Sequence, residues 1–110
     1  MTFDAERVSM DLITALRGPL EMLERRNRAL GDQARRAATS VALNLSEGRR
    51  RSGRDRTHFW RIAAGSAAEL RTALAVARAW GWLGDDDRPV DELLDRVLAM
   101  TWRLARPRRA

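Results

Sequence analysis

Apolar residues recur at helical spacing along nearly the whole chain. Val8, Leu12, Leu16, Leu20 and Leu23 form one stripe, which predicts a first helix over about 4–27. The stripe passes Gly18-Pro19 without losing phase. Proline lacks an amide donor and crowds the carbonyl four residues earlier, so a kink or restart is expected there. Asn27 and Gly31-Asp32 mark the next connection. Ala34, Ala38, Val41 and Leu45 line the face of a second helix over 32–47, with Gly48 placed to take a left-handed cap. A third helix, 53–80, is expected to start from a capping box of Ser52 and Asp55. Phe59, Ile62, Leu70, Ala73 and Ala77 follow on one face, and Gly81 with Trp82 suits a Schellman stop. The fourth helix, 89–105, opens on Pro89 and carries Val90, Leu93, Val97, Met100 and Leu104. Asp91 and Glu92 complement its positive start, and Arg103 and Arg106 its negative end. Pro107 stops it, leaving a basic tail, 106–110, with Arg108 and Arg109.

No strand-like alternation competes with this pattern. Four amphipathic helices on short loops predict an all-α fold, an antiparallel up-down four-helix bundle in one domain over 1–110. A chain of 110 residues, 45% apolar and 33% charged, holds one modest core. It has no cysteine, which excludes disulfides, thiolate metal sites and cysteine nucleophiles. The charged start has no signal-peptide pattern, and no segment approaches the ~20 apolar residues of a membrane span. A cytoplasmic location with no membrane partner is the expectation.

Charge changes the picture more than composition does. The net charge is +6, and every one of the 21 basic residues is arginine. Residues 35–61 carry a net +6, residues 85–95 a net −5 and residues 96–110 a net +5. Segregation of this kind favours an electrostatic partner. The densest stretch, SEGRRRSGRDR (46–56), holds Arg49, Arg50, Arg51, Arg54 and Arg56 around one turn. Arg35 and Arg36 lie about three turns back on the second helix. Together these seven are the candidate phosphate contacts, a strong anion surface if copies of the chain are arranged around an axis.

Other chemistry is sparse. His58 is the only histidine and has no legible partner for acid–base work. Asp85-Asp86-Asp87 lacks the spaced ligands of a calcium loop and reads as a solvated turn. Of the tryptophans, Trp80, Trp82 and Trp102 are expected in packing or a subunit interface, and Trp60, beside the basic turn, is the least committed. No motif calls for a cofactor, and no enzyme site is legible. One polar set stands out: Arg36, Ser40, Asn44 and Glu47 share a face of the second helix, and Gly65, Ser66 and Glu69 sit mid-helix in the third. Buried polar groups need partners, so these are expected to satisfy one another, to pair with arginine or to line a subunit interface. Close packing is expected at Gly65, because mid-helix glycine costs about 1 kcal/mol against alanine.

The stretch 33–83 carries Q-x-R-R-A-x-x-S-x-x-x-N-x-x-E-G, then R-x-S, an aromatic residue, I-A-x-G-S-x-x-E and W-G-x-L. It resembles the signature of a bacterial four-helix-bundle family. That family includes proteins encoded by intervening sequences in 23S ribosomal RNA genes and the accessory variability determinant of diversity-generating retroelements. The resemblance implies a ring-shaped homopentamer with a central channel or barrel. For the retroelement accessory it implies basic surfaces that bind nucleic acid and a reverse transcriptase. By position the motif falls on Gln33, Arg35, Arg36, Ser40, Asn44, Glu47, Gly48, Gly65, Ser66 and Glu69.

The resulting expectation is a non-enzymatic, oligomeric nucleic-acid-binding accessory protein, acting on RNA or DNA through phosphates and supporting a reverse transcriptase. The alternative is a protein-interaction scaffold or a stand-alone bundle.

Overall fold

The first apolar stripe forms a single helix, α1 (Asp4–Arg26), with Val8, Leu12, Leu16, Leu20 and Leu23 all buried. The computed structural model describes residues 3–106. Pro19 lies inside α1, and the helix continues through it to Arg26 rather than restarting. The connection to α2 (Arg28–Arg49) is one residue, Asn27, where the sequence suggests a longer link through Asp32. Asn27 serves both helices: its amide bonds the Leu23 carbonyl at 2.7 Å, and its side chain accepts from the Leu30 amide at 2.9 Å. Gly31 is therefore helical. A Cβ there would lie 2.9 Å from Glu24 Cα, so this glycine lets α1 and α2 close tightly beside the turn.

α2 runs through Gly48 and ends at Arg49, so Gly48 is not the left-handed cap. It is buried instead under the Trp60 indole, and the turn's positive φ, 59°, falls on Gly53. α3 (Gly53–Ala79) starts after Ser52, whose side chain makes no capping bond. The core face of α3 is Ala63, Ala67, Leu70, Ala73, Leu74 and Ala77. Ile62 is exposed and Phe59 only half-buried, so the apolar positions nearest the basic turn lie off the core. The helix stops as expected: Gly81 has φ 76°, its amide bonds the Arg78 carbonyl, and the Trp82 amide bonds the Ala77 carbonyl at 2.8 Å. That pair of bonds is the Schellman arrangement.

α4 (Arg88–Leu104) is capped by Asp87, which accepts from the Val90 amide while Asp91 accepts from the Asp87 amide. Its buried line is Val90, Leu94, Val97 and Thr101, with Leu93, Met100 and Leu104 flanking it. The heptad-like stripe read from sequence is thus rotated toward Leu94 and Thr101. Thr101 can be buried because its hydroxyl donates to the Val97 carbonyl at 2.8 Å.

The four helices among the described residues pack as a four-helix bundle, each beside its chain neighbours, with α4 also against α1. Small side chains (Ala34, Ala37 and Ala38 on α2, Ala63 and Ala67 on α3) bring those two axes close. The bundle measures 46 × 23 × 20 Å. Up-down topology places the start of α1, the α2–α3 turn and the end of α4 at one end. Pro107 and the tail residues Arg108 and Arg109 lie outside the described residues.

Candidate nucleic-acid interface

The α2–α3 turn exposes its arginines, but most are held by groups of the same chain. Arg49 reaches across to Glu6 of α1. Arg50 and Arg51 fold back onto Glu47 at 3.1 and 2.9 Å. Arg56 donates to the Gly48 and Arg49 carbonyls at 3.1 and 3.0 Å, closing the C-terminus of α2. Its guanidinium also sits 5.3 Å from the Trp60 ring centre. On α2, Arg35 makes a two-pronged pair with Glu24 at 3.0 and 2.7 Å. Of the seven arginines singled out in sequence, Arg36 and Arg54 alone have no hydrogen bond or ion pair among the described residues.

These pairs are exposed enough to exchange. An ion pair in contact with water contributes roughly 0–1 kcal/mol, and a phosphate is an equally good bidentate acceptor for arginine. They do move proton affinities. Hydrogen bonding from Arg51 is the largest influence on the Glu47 carboxyl; desolvation, next in size, opposes it, and the bond from Arg50 helps hold the group below the ordinary 4.5. The bond from Arg35 does the same for Glu24 and raises Arg35 itself. A carboxyl depressed in the folded state stabilises it above the unfolded value and loses that contribution as pH falls through the folded value. Thermal stability is therefore expected to hold from pH 7 to about 5 and to decline below about 4.5. Melts of Glu24→Gln and Glu47→Gln should show a flatter acid limb than the parent.

The fold adds arginines outside the seven candidates. Arg61 on α3, and Arg103 and Arg106 at the end of α4, share a cleft with Arg54 and Arg56. Trp60 does not stand free as a base-stacking platform. It stacks on Phe3 with ring centres 5.7 Å apart, and its indole N–H donates to the Leu45 carbonyl at 3.3 Å. The segmental charge pattern points toward Arg103 and Arg106, but only the bundle topology brings them to the turn.

The polar set on α2 and α3 does meet. The Ser40 and Ser66 hydroxyls are 2.8 Å apart, and the Asn44 amide donates to the Ser40 carbonyl and hydroxyl at 2.9 and 3.0 Å. Gln33, Arg36 and Glu69 line a shallow groove beside them. Glu47 is engaged instead with the turn arginines. Gly65 is exposed, and a Cβ there would meet no atom within 4 Å, so the close packing expected at this glycine is absent within the protomer. Leu43, on the same side of α2, is 64% exposed. Trp80 and Trp102 are also exposed, at 69% and 55%. Trp80 stacks on Trp82 at 5.6 Å, and Arg106 sits 3.7 Å over the Trp102 ring.

His58 is exposed, with its ring against Phe59. Among the described residues no cluster of metal-ligating side chains occurs, and no helix is long and apolar enough to cross a membrane. A family model described as 23S rRNA-intervening sequence protein matches residues 5–103. No curated protein sequence matches the chain.

Proposed function

The chain belongs to the 23S rRNA-intervening sequence protein family, and we propose that it is a non-enzymatic RNA-binding protein that works as a homopentamer. The observation that carries the RNA reading is the gathering of Arg49, Arg50, Arg51, Arg54, Arg56, Arg61, Arg103 and Arg106 at one end of a narrow bundle. Such a surface binds phosphates without reading sequence. The family's description is compatible with an RNA-associated role. The retroelement role, with a reverse transcriptase partner, is not part of this proposal.

Assembly is supported by features that the protomer leaves uncovered. Leu43, Gly65 and the Ser40–Ser66 pair lie along the α2–α3 side, where open space at Gly65 leaves room for a neighbouring helix. Light scattering should return five times the 12.5 kDa chain mass; a monomeric mass would refute the assembly.

Binding is tested by two opposed variants. Arg50→Ala/Arg51→Ala/Arg54→Ala should weaken RNA binding about tenfold or more and flatten its salt dependence. Glu47→Gln releases Arg50 and Arg51 from their internal acceptor and should tighten it. Unchanged affinity in both would sink the assignment.

A further inference from the structure

At the basic end, the first turns of α3 and the last turn of α4 enclose a cleft of about 1010 Å³. That is at the upper end of the range for small-molecule sites, roughly 300–1,000 Å³. Among the described residues five arginines line it: Arg54, Arg56 and Arg61 from α3, Arg103 from the last turn of α4 and Arg106 just beyond it. Among the described residues no carboxylate does, and the apolar side chains in the lining are Trp60 and Leu104. We infer that this cleft seats a single unstacked nucleotide of a single-stranded nucleic acid, with its phosphates on Arg54, Arg61 and Arg103.

The arginines divide into two sets. Arg54, Arg61 and Arg103 make no hydrogen bond or ion pair among the described residues, and all three are exposed. Their charge is therefore uncompensated at short range, and fixed phosphates are the acceptors that match guanidinium geometry. Arg56 and Arg106 are already occupied. Arg56 is bound to two carbonyls and sits by the Trp60 ring, and Arg106 sits over Trp102 and donates to its carbonyl at 3.2 Å. The Arg106 guanidinium, 3.7 Å over the Trp102 ring, offers a second face on which a base can stack.

The shape selects a single strand. In a duplex the bases are stacked inside and present only their edges, so the apolar lining of this open cleft would meet no base face. An unstacked base fills it and leaves the flanking phosphates at the rim. Ser52 makes no capping bond, so the first amide donors of α3 at that rim also lack a side-chain acceptor. The helix start adds to the positive potential there.

This inference rests on the nucleic-acid reading above, and one titration separates the two. Fluorescence anisotropy of the full chain is measured with a labelled eight-nucleotide single strand, as RNA and as DNA, and with a duplex of the same sequence. The single strands should bind at least tenfold more tightly than the duplex. Arg61→Ala/Arg103→Ala should weaken single-strand binding tenfold or more. It should also reduce the slope of log affinity on log salt by about 1.4, which is about 0.7 for each of the two phosphates no longer neutralised. Both residues are exposed and unbonded, so the variant keeps its fold, which a circular dichroism melt checks. Single-strand binding unchanged in this variant overturns the cleft while leaving the general RNA reading intact. Equal affinity for the duplex overturns the unstacked nucleotide. Failure of the wild-type chain to bind any of the probes at low salt overturns both.

Discussion

RNA affinity is expected to fall about 300-fold as salt rises from 50 to 200 mM, with about six phosphates of a single strand neutralised. The arginines that neutralise them are Arg49, Arg50, Arg51, Arg54, Arg61 and Arg103. Each neutralised phosphate releases condensed counterions, and at about 0.7 per phosphate the slope of log affinity on log salt is close to −4. Arg56 and Arg106 are left out because their guanidinium groups are already bound to carbonyls. Arg49, Arg50 and Arg51 are included although Glu6 and Glu47 hold them. Those pairs are half-exposed and weak, so a phosphate can replace the carboxylate as acceptor. Titration at four salt concentrations gives the slope directly. A value near zero would mean that neutral contacts carry the affinity, and the phosphate reading would fail.

Replacing Gly48 by alanine is expected to cost about 1–3 kcal/mol, the usual range for overpacking a fitted core. The melting temperature should drop by about 4–24 °C, from roughly 4–8 °C per kcal/mol in a domain near this size. A Cβ at Gly48 would overlap two atoms of the Trp60 indole and lie 3.2 Å from the Arg56 carbonyl oxygen. The indole cannot easily withdraw. It is bonded to the Leu45 carbonyl and stacked on Phe3, and Arg56 lies beside its ring. Because Arg56 and Trp60 both border the arginine cleft, the same change should weaken RNA binding. Gly53→Ala is the contrast: it carries the positive φ but meets no neighbour, so its cost is backbone strain of about 1 kcal/mol. Trp60→Leu should relieve the Gly48→Ala clash, and the double variant should then cost less than the two single changes added together. Additive costs would show that Gly48 does not act through Trp60.

The four helices are legible in the sequence because a 3.6-residue period is a local property, repeated often enough to survive a proline. The α1 stripe is buried residue for residue, and the Gly81-Trp82 stop has its expected bonds. Structure and sequence pattern part at junctions and at the margins of apolar faces. Asn27, Gly48 and Ser52 all belong to residue types suited to helix ends, and local chemistry alone does not say which end a glycine or serine serves. Gly48 follows a helical run and so resembles a cap, yet its role is set by Trp60, twelve residues later. Leu94 and Thr101 join Val90 and Val97 in the α4 core, ahead of Leu93, Met100 and Leu104, because the position of α1 and α3 decides which side of α4 is covered.

The candidate interface divides the same way. A run of arginines is a matter of composition, so the turn at 49–56 is recognisable as the charged feature of the chain without any structure. What those arginines touch is not: Glu6 lies 43 residues from Arg49, and Glu24 lies 11 residues from Arg35 across a helical hairpin. By itself the sequence determined the helical class, the approximate helix spans and the charge segregation, because periodicity and composition are written in nearest neighbours. Only the tertiary structure decided which arginines are neutralised within the chain and which remain open. It also brought Arg103 to Arg61, because antiparallel packing places the end of α4 beside the start of α3, joining side chains that are forty-two positions apart.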